Sequence, residues 1–223
     1  MKRLFGILVM GMVVGMSGFI GCGGDKDSPT GPTKGPEGQT LEVETEKWGN
    51  GNIKVEFQYY RDGRSVTKHG FYKEYDDDGT LRVDGTYYKD KEKHNGMWVE
   101  YSDGGQLKSQ GNYKDGDEEG YWVWYYDESE KVKYEANFVD GKREGKWIRN
   151  YRSGNLGEEG NFIDGEEDGK WVYYYESGKV EREGNFINGK EEGKWVWYEE
   201  EGNITDEDIY ENGKCVEMCE EGD

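Results

Sequence analysis

Side chains able to do acid–base, nucleophilic or metal chemistry are few in this 223-residue chain: two histidines, His69 and His94, and three cysteines, Cys22, Cys215 and Cys219. Each histidine stands alone in a polar segment and is expected to be solvated. No Ser–His–Asp set, zinc-binding HExxH or phosphate-binding loop accompanies them. Carboxylates are plentiful, at 49 Asp plus Glu, but they crowd into turns such as DGDEEG (115–120) and DGEEDG (164–169). A glycosidase needs one carboxyl of raised pKa in a cleft, which exposed turns do not provide. The same turns offer oxygen ligands to calcium, yet they lack the ligand spacing of an EF-hand loop. The expectation is therefore no enzyme: no catalytic residue, no metal site and no cofactor. Cys215 and Cys219 are spaced C-x-x-x-C, not the C-x-x-C of a redox site. On one straight strand they would lie ~13 Å apart, so a disulfide between them requires a turn or bend.

What the chain has in quantity is aromatic rings and glycine: 18 Tyr, 8 Trp, 7 Phe and 36 Gly, against a hydrophobic share of 32%. Rings rather than aliphatic side chains must supply the buried surface, which points to thin layers of structure rather than a thick core. The net charge of −20 repels phosphate backbones and anionic headgroups, so no nucleic-acid partner is expected.

The rings recur. GFYKEYDDDG from Gly70, GMWVEYSDGG from Gly96, GYWVWYYDES from Gly120, GKWIRNYRSG from Gly145, GKWVYYYESG from Gly169 and GKWVWYEEEG from Gly193 are spaced 24 to 26 residues apart. Trp98, Trp122, Trp147, Trp171 and Trp195 keep step, with Tyr72 in the same slot of the first unit. A second half follows in each unit, where Gly85, Gly111, Gly160 and Gly184 precede Tyr87, Tyr113, Phe162 and Phe186 by two residues. Each half reads as a strand, and Asp115-Gly116, Asp140-Gly141, Asp164-Gly165 and Asn188-Gly189 are type I′ hairpin signals. The fold class expected is all-β: an elongated, twisted antiparallel meander of about twelve to fourteen strands, because the connections are too short for parallel crossovers. Side chains alternate along a strand, so Trp171, Tyr173 and Tyr175 should share one face. A bare glycine in the second strand lets a ring from the adjacent strand lie flat over the backbone. Two units depart from the pattern: Ala136 and Asp208 stand in the strand-glycine slot.

The pattern G-x-W-x-x-Y-x-x-x-G, followed by G-x-[YF]-x-x-G, resembles the MORN repeat in its bacterial variant form. The resemblance covers residues ~48–213 and implies twisted sheets that act as scaffolds or binding surfaces. At the N-terminus, MKR and a following apolar run end at Phe19-Ile20-Gly21-Cys22, which resembles a bacterial lipobox. The organisation expected is a lipoprotein signal peptide over 1–21, a lipidated Cys22 with a Pro/Gly-rich linker over 22–47, an array of about six to seven units over 48–213, and an acidic tail over 214–223. Gly23 after the cysteine points to the outer rather than the inner membrane.

The functional expectation is a membrane-anchored scaffold at the cell envelope, bound to the membrane through its lipid and to an unknown protein or polysaccharide. The alternatives are a carbohydrate- or wall-binding module with rows of exposed rings, or an antitoxin- or immunity-like protein. Most recurring residues have a packing reason to recur, so function is sought where units differ. The position two after each tryptophan does: Glu100, Trp124, Arg149, Tyr173 and Trp197 form the candidate binding surface.

Overall fold

The computed structural model describes residues 34–36, 38–88 and 93–217. Sixteen strands follow in order: β1 (Glu42–Lys47), β2 (Ile53–Asp62), β3 (Ser65–Tyr75), β4 (Leu81–Tyr87), β5 (His94–Tyr101), β6 (Leu107–Lys114), β7 (Asp117–Tyr125), β8 (Val132–Val139), β9 (Lys142–Asn150), β10 (Leu156–Ile163), β11 (Glu166–Glu167), β12 (Gly169–Tyr174), β13 (Val180–Ile187), β14 (Lys190–Tyr198), β15 (Ile204–Glu211) and β16 (Lys214–Glu217). They form one open sheet in chain order, antiparallel throughout, with β11 a short extension beside β10. The all-β meander expected from the repeats is the fold. It runs further at both ends than the array boundaries at 48 and 213: β1 pairs with β2 and β16 with β15. Neither outer strand carries the Trp–Gly signature.

Turn chemistry follows the sequence closely. Asp115, Asp140, Asp164, Asn188 and Asn212 have φ between 47° and 54°, and the glycine after each is also positive, as a type I′ turn requires. The glycine that opens each unit serves a different purpose. Gly70, Gly96, Gly120, Gly145, Gly169 and Gly193 all have positive φ, from 70° to 106°, and most sit where the register slips: between Glu183 and Asn185, for example, β14 carries the extra residues that include Gly193. Such bulges raise the local twist, which keeps a sheet this wide from lying flat.

Three rows of side chains cross one face. In the central row the repeat tryptophans alternate with the strand glycines: Trp98 pairs with Gly111, Trp171 with Gly184. Trp98, Trp122, Trp171 and Trp195 each lie over the glycine of the preceding strand. A Cβ added at Gly85, Gly111, Gly160 or Gly184 would come within 2.5 Å or less of Trp98, Trp122, Trp171 or Trp195 ring atoms. The indole N–H then reaches the carbonyl after that glycine: Thr86 at 3.1 Å, Asn112 at 2.9 Å, Asn161 at 3.2 Å and Asn185 at 3.3 Å. Beside it runs a row of Tyr and Phe opposite the opening glycines, such as Phe186 opposite Gly169. These rings meet the tryptophans edge-on: Phe162–Trp171 at 5.3 Å and 89°, Phe186–Trp195 at 5.1 Å and 85°. A single sheet thereby buries Trp195 completely, at 0% exposure.

The opposite face carries a ladder of Lys, Glu and Tyr. Lys146 pairs with Glu159 at 3.1 Å, Lys170 with Glu183 at 2.8 Å and Lys194 with Glu207 at 2.6 Å. Tyr174 and Tyr198 donate to Glu159 and Glu183 from the next unit. Both edges of the sheet are stapled between units. Tyr126, Tyr151 and Tyr175, each just past a strand end, donate to the carbonyls of Asn150, Tyr174 and Tyr198, 23 or 24 residues on. At the hairpin edge the turn glycines donate back, as Gly189 N does to Glu167 O.

Tyr151→Phe or Tyr175→Phe leaves one strand-end carbonyl without its donor. Each should lower the unfolding free energy by about 0.5–1.5 kcal/mol, read as a reduced urea midpoint with an unchanged m-value.

Candidate functional site

The third row on the Trp face is the one in which units differ. It runs Glu74, Val83, Glu100, Ser109, Trp124, Tyr134, Arg149, Glu158, Tyr173, Arg182, Trp197, Asp206, each residue opposite the next on adjoining strands from β3 to β15. At the spacing of neighbouring strands, this row is about 50 Å long. All five positions expected to form a binding surface lie in it. The alternating members, two residues before each strand glycine, went unread. Their signal was present, since Ser109, Tyr134, Glu158, Arg182 and Asp206 vary from unit to unit as their partners do, but without the register nothing ties the two sets together.

The register shows matched pairs. Ser109 Oγ donates to Glu100 at 3.2 Å. Trp124 stacks on Tyr134 at 4.6 Å and 26°. Arg149 Nη2 donates to Glu158 Oε2 at 3.0 Å, which raises the guanidinium pKa. Arg182 lies over the Tyr173 ring at 4.0 Å. Trp197 faces Asp206. Trp124, Tyr173 and Trp197 are half-buried; Trp124 is stacked on Trp122 and Tyr134 and Tyr173 carries Arg182 on its face, while Trp197 meets Trp195 tilted at 6.2 Å. A row of free ring faces for sugar stacking is not what the side chains form.

The unit carrying Ala136 departs most. Its methyl stands where the ring would lie, since a Cβ at the equivalent Gly111, Gly160 or Gly184 meets ring atoms at 2.0–2.1 Å. Trp147 accordingly takes another partner: Nε1 donates to Glu158 Oε1 at 3.1 Å, and its ring stacks on Tyr134 at 5.2 Å and 30°. Arg143 sits 4.7 Å above it. One methyl thus redirects a tryptophan from the frame into the variable row and ties Trp124, Tyr134, Trp147, Arg149 and Glu158 into one cluster.

The histidines correct the sequence expectation of solvated loops. Both lie on strands. His69 on β3 is 1% exposed between Tyr60 and Tyr88. His94 on β5 is half-buried and stacks on Trp98 at 3.7 Å and 26°. Their segments look polar because every second residue faces solvent, while the histidines occupy the inward register. The acidic turns also have a partner. Glu119, Glu144 and Glu192, each just before an opening glycine, accept the amide N–H of Asp140, Asp164 and Asn212 in the next unit's turn. These carboxylates help set the repeat spacing. Cys215 is disulfide-bonded; Cys219 and Cys22 both lie outside the described residues, as do the whole of the expected signal segment and half of the expected linker.

Three segments, residues 95–115, 167–188 and 191–212, match the model of the MORN repeat variant. They coincide with the hairpins β5–β6, β11/β12–β13 and β14–β15. No curated protein matches the chain.

Burial holds the His94 imidazole below its ordinary value of 6.5, with Lys68 acting in the same direction and Glu100 opposing. The unfolded chain then binds the proton more readily than the fold. Stability from this group is complete above about pH 6.5 and declines as the pH falls from there through the lower folded value. Hydrogen bonds from Tyr174 to Glu159 and from Lys170 to Glu183 hold those carboxyls below 4.5; their contribution persists above the ordinary value and is lost as pH falls through the lower folded one. His94→Gln should therefore flatten the upper part of the stability–pH profile and leave the acid limb in place, measured as denaturant midpoints across the series.

Proposed function

We infer that the chain is an exported, lipid-anchored interaction scaffold of a bacterial cell envelope. Cys22 would carry the lipid, the Pro/Gly-rich segment would lift the array from the membrane, and the variable row would receive a protein partner. The observation that supports this reading best is the separation of roles on one face: two rows are fixed by ring-over-glycine packing, and a third, about 50 Å long, changes in every unit. Such a frame holds a linear pattern of charge and aromatic edge rigidly, which suits recognition of a partner's extended surface. The MORN repeat variant match agrees with a repeat protein whose work is binding. A charge of −20 disfavours nucleic acid and anionic lipid as the bound surface, and the occupied faces of Trp124 and Tyr173 disfavour a sugar polymer as the main ligand.

The test uses the full-length chain expressed in a bacterium. Wild type should partition with membranes and incorporate a palmitate analogue, and Cys22→Ala should do neither. Proteins captured by the wild type should fall at least tenfold with the row variant Arg149→Glu/Arg182→Glu, which leaves both ring rows intact. Equal capture by the two would remove the row from the account, and an unlabelled wild type found in the cytoplasm would remove the anchor.

A further inference from the structure

The partner's chemistry is legible beside the middle of the variable row, where the strands β6 to β9 meet their turns. A depression of about 330 Å³ lies there, lined by Trp124, Tyr134, Lys108, Lys133, Arg152 and Asp127. Three cations against one carboxylate is a local inversion in a chain with 49 acidic and 29 basic residues. Ion pairs take up ten of the described lysines and arginines, three of them in the Lys–Glu–Tyr ladder. Lys108 is paired too, at 3.6 Å from Glu100. Lys133 and Arg152 are not: among the described residues neither has an ion pair. Both are exposed, and both sit over the Tyr126 ring, at 5.9 Å and 5.5 Å, with Lys133 also 5.7 Å from Tyr134.

The rings complete the picture. Tyr134 is held between Trp124 on β7 and Trp147 on β9, stacked on both at 26° and 30°. Its faces are covered, so the surface it gives the depression is its edge, the positive side of the ring quadrupole. Cations and ring edges together favour an anion. The site exists because this unit is irregular. Ala136 sends Trp147 against Tyr134, and the turn after β7 is one residue longer than its counterparts, closing from Tyr126 N to Lys131 O where others close four residues on, as Tyr175 N to Lys179 O.

We propose that this depression binds a single carboxylate of a partner polypeptide, its side-chain or terminal carboxylate held by Lys133 and Arg152, with a partner amide N–H donating to Asp127. The proposal rests on the scaffold reading and supplies the partner's chemistry. A lone carboxylate fits the charge pattern better than a polyanion, because the acidic remainder of the chain repels extended negative charge while two cations act at short range. A sugar acid fits less well, because the ring faces on which a sugar would lie are taken. Arg152 offers a planar two-pronged donor set matched to a carboxylate, and Lys133 a point charge beside it.

The experiment is an amide-resolved NMR titration of the full chain, freed of its lipid by Cys22→Ala. The probes are an acetylated tripeptide with a free C-terminal carboxylate, the same tripeptide amidated, and glucuronic acid. The free acid should shift the amides of Tyr126–Lys133 and Arg152 while those near Trp195 stay in place. The amidated peptide and the sugar acid should bind at least tenfold more weakly. Lys133→Gln/Arg152→Gln, both at exposed positions, should abolish the shifts and leave the rest of the spectrum unchanged. Absence of saturable shifts with the free acid, equal shifts with the amide, tighter binding of glucuronate, or shifts that survive the double variant would each overturn the proposal. Envelope capture with the same double variant separates the two readings. Capture that depends on the row but not on Lys133 and Arg152 removes the carboxylate site and leaves the scaffold; loss of dependence on the row removes both.

Discussion

A tryptophan ring lying flat on a glycine of the neighbouring strand is the contact on which this structure depends. A single sheet has no second layer to bury its apolar face. Here the burial is achieved within the face: Trp98, Trp122, Trp171 and Trp195 lie down over Gly85, Gly111, Gly160 and Gly184, and the Tyr and Phe row stands edge-on between them. The ring needs the missing Cβ, the indole N–H takes a strand carbonyl, and the bulge at the opening glycine gives the twist that brings successive rings together. Loss of such a ring would cost about 3–5 kcal/mol, far more than any pair in the variable row contributes. The frame is therefore constrained and the row beside it is free to change.

Much of this was legible in the sequence. The period, the two strands per unit, the type I′ turns and the reason for the strand glycine all follow from residue types at fixed spacing, because each is a local steric requirement. The opening glycines were legible as punctuation only; their positive φ belongs to a register slip that needs the neighbouring strand. The same limit applied to the site. Glu100, Trp124, Arg149, Tyr173 and Trp197 stood out as unit-to-unit variation, yet what each meets is decided by cross-strand register, so Ser109, Tyr134, Glu158 and Arg182 were missed. His69 and His94 were misplaced for a related reason: a strand with one wet face reads as polar, and a single residue of shift decides which side is inward.

The departures from the repeat carry more information than the repeat. Asp208 takes the glycine slot of the last full unit, opposite Trp195. The strand after it, β16, brings no ring to that slot, where Asp208 is nonetheless buried. Burial and the nearby Asp206 push its carboxyl up. Asp208 is thus a polar group turned inward one strand from the described edge of the sheet. Ala136 is the interior counterpart: its methyl keeps Trp147 off the strand backbone, and the ring, still edge-on to Phe162, also stacks on Tyr134 and joins an aromatic and cationic cluster.

The central claim is tested most directly by exchanging the glycine slots. Gly160→Ala and Gly184→Ala should each destabilise the fold by about 1–3 kcal/mol and move the indole N–H resonance of Trp171 or Trp195 out of its carbonyl-bonded position toward that of Trp147. Ala136→Gly should move Trp147 the opposite way. If both alanine variants keep wild-type stability and indole spectra, the ring-over-glycine contact does not hold the array together.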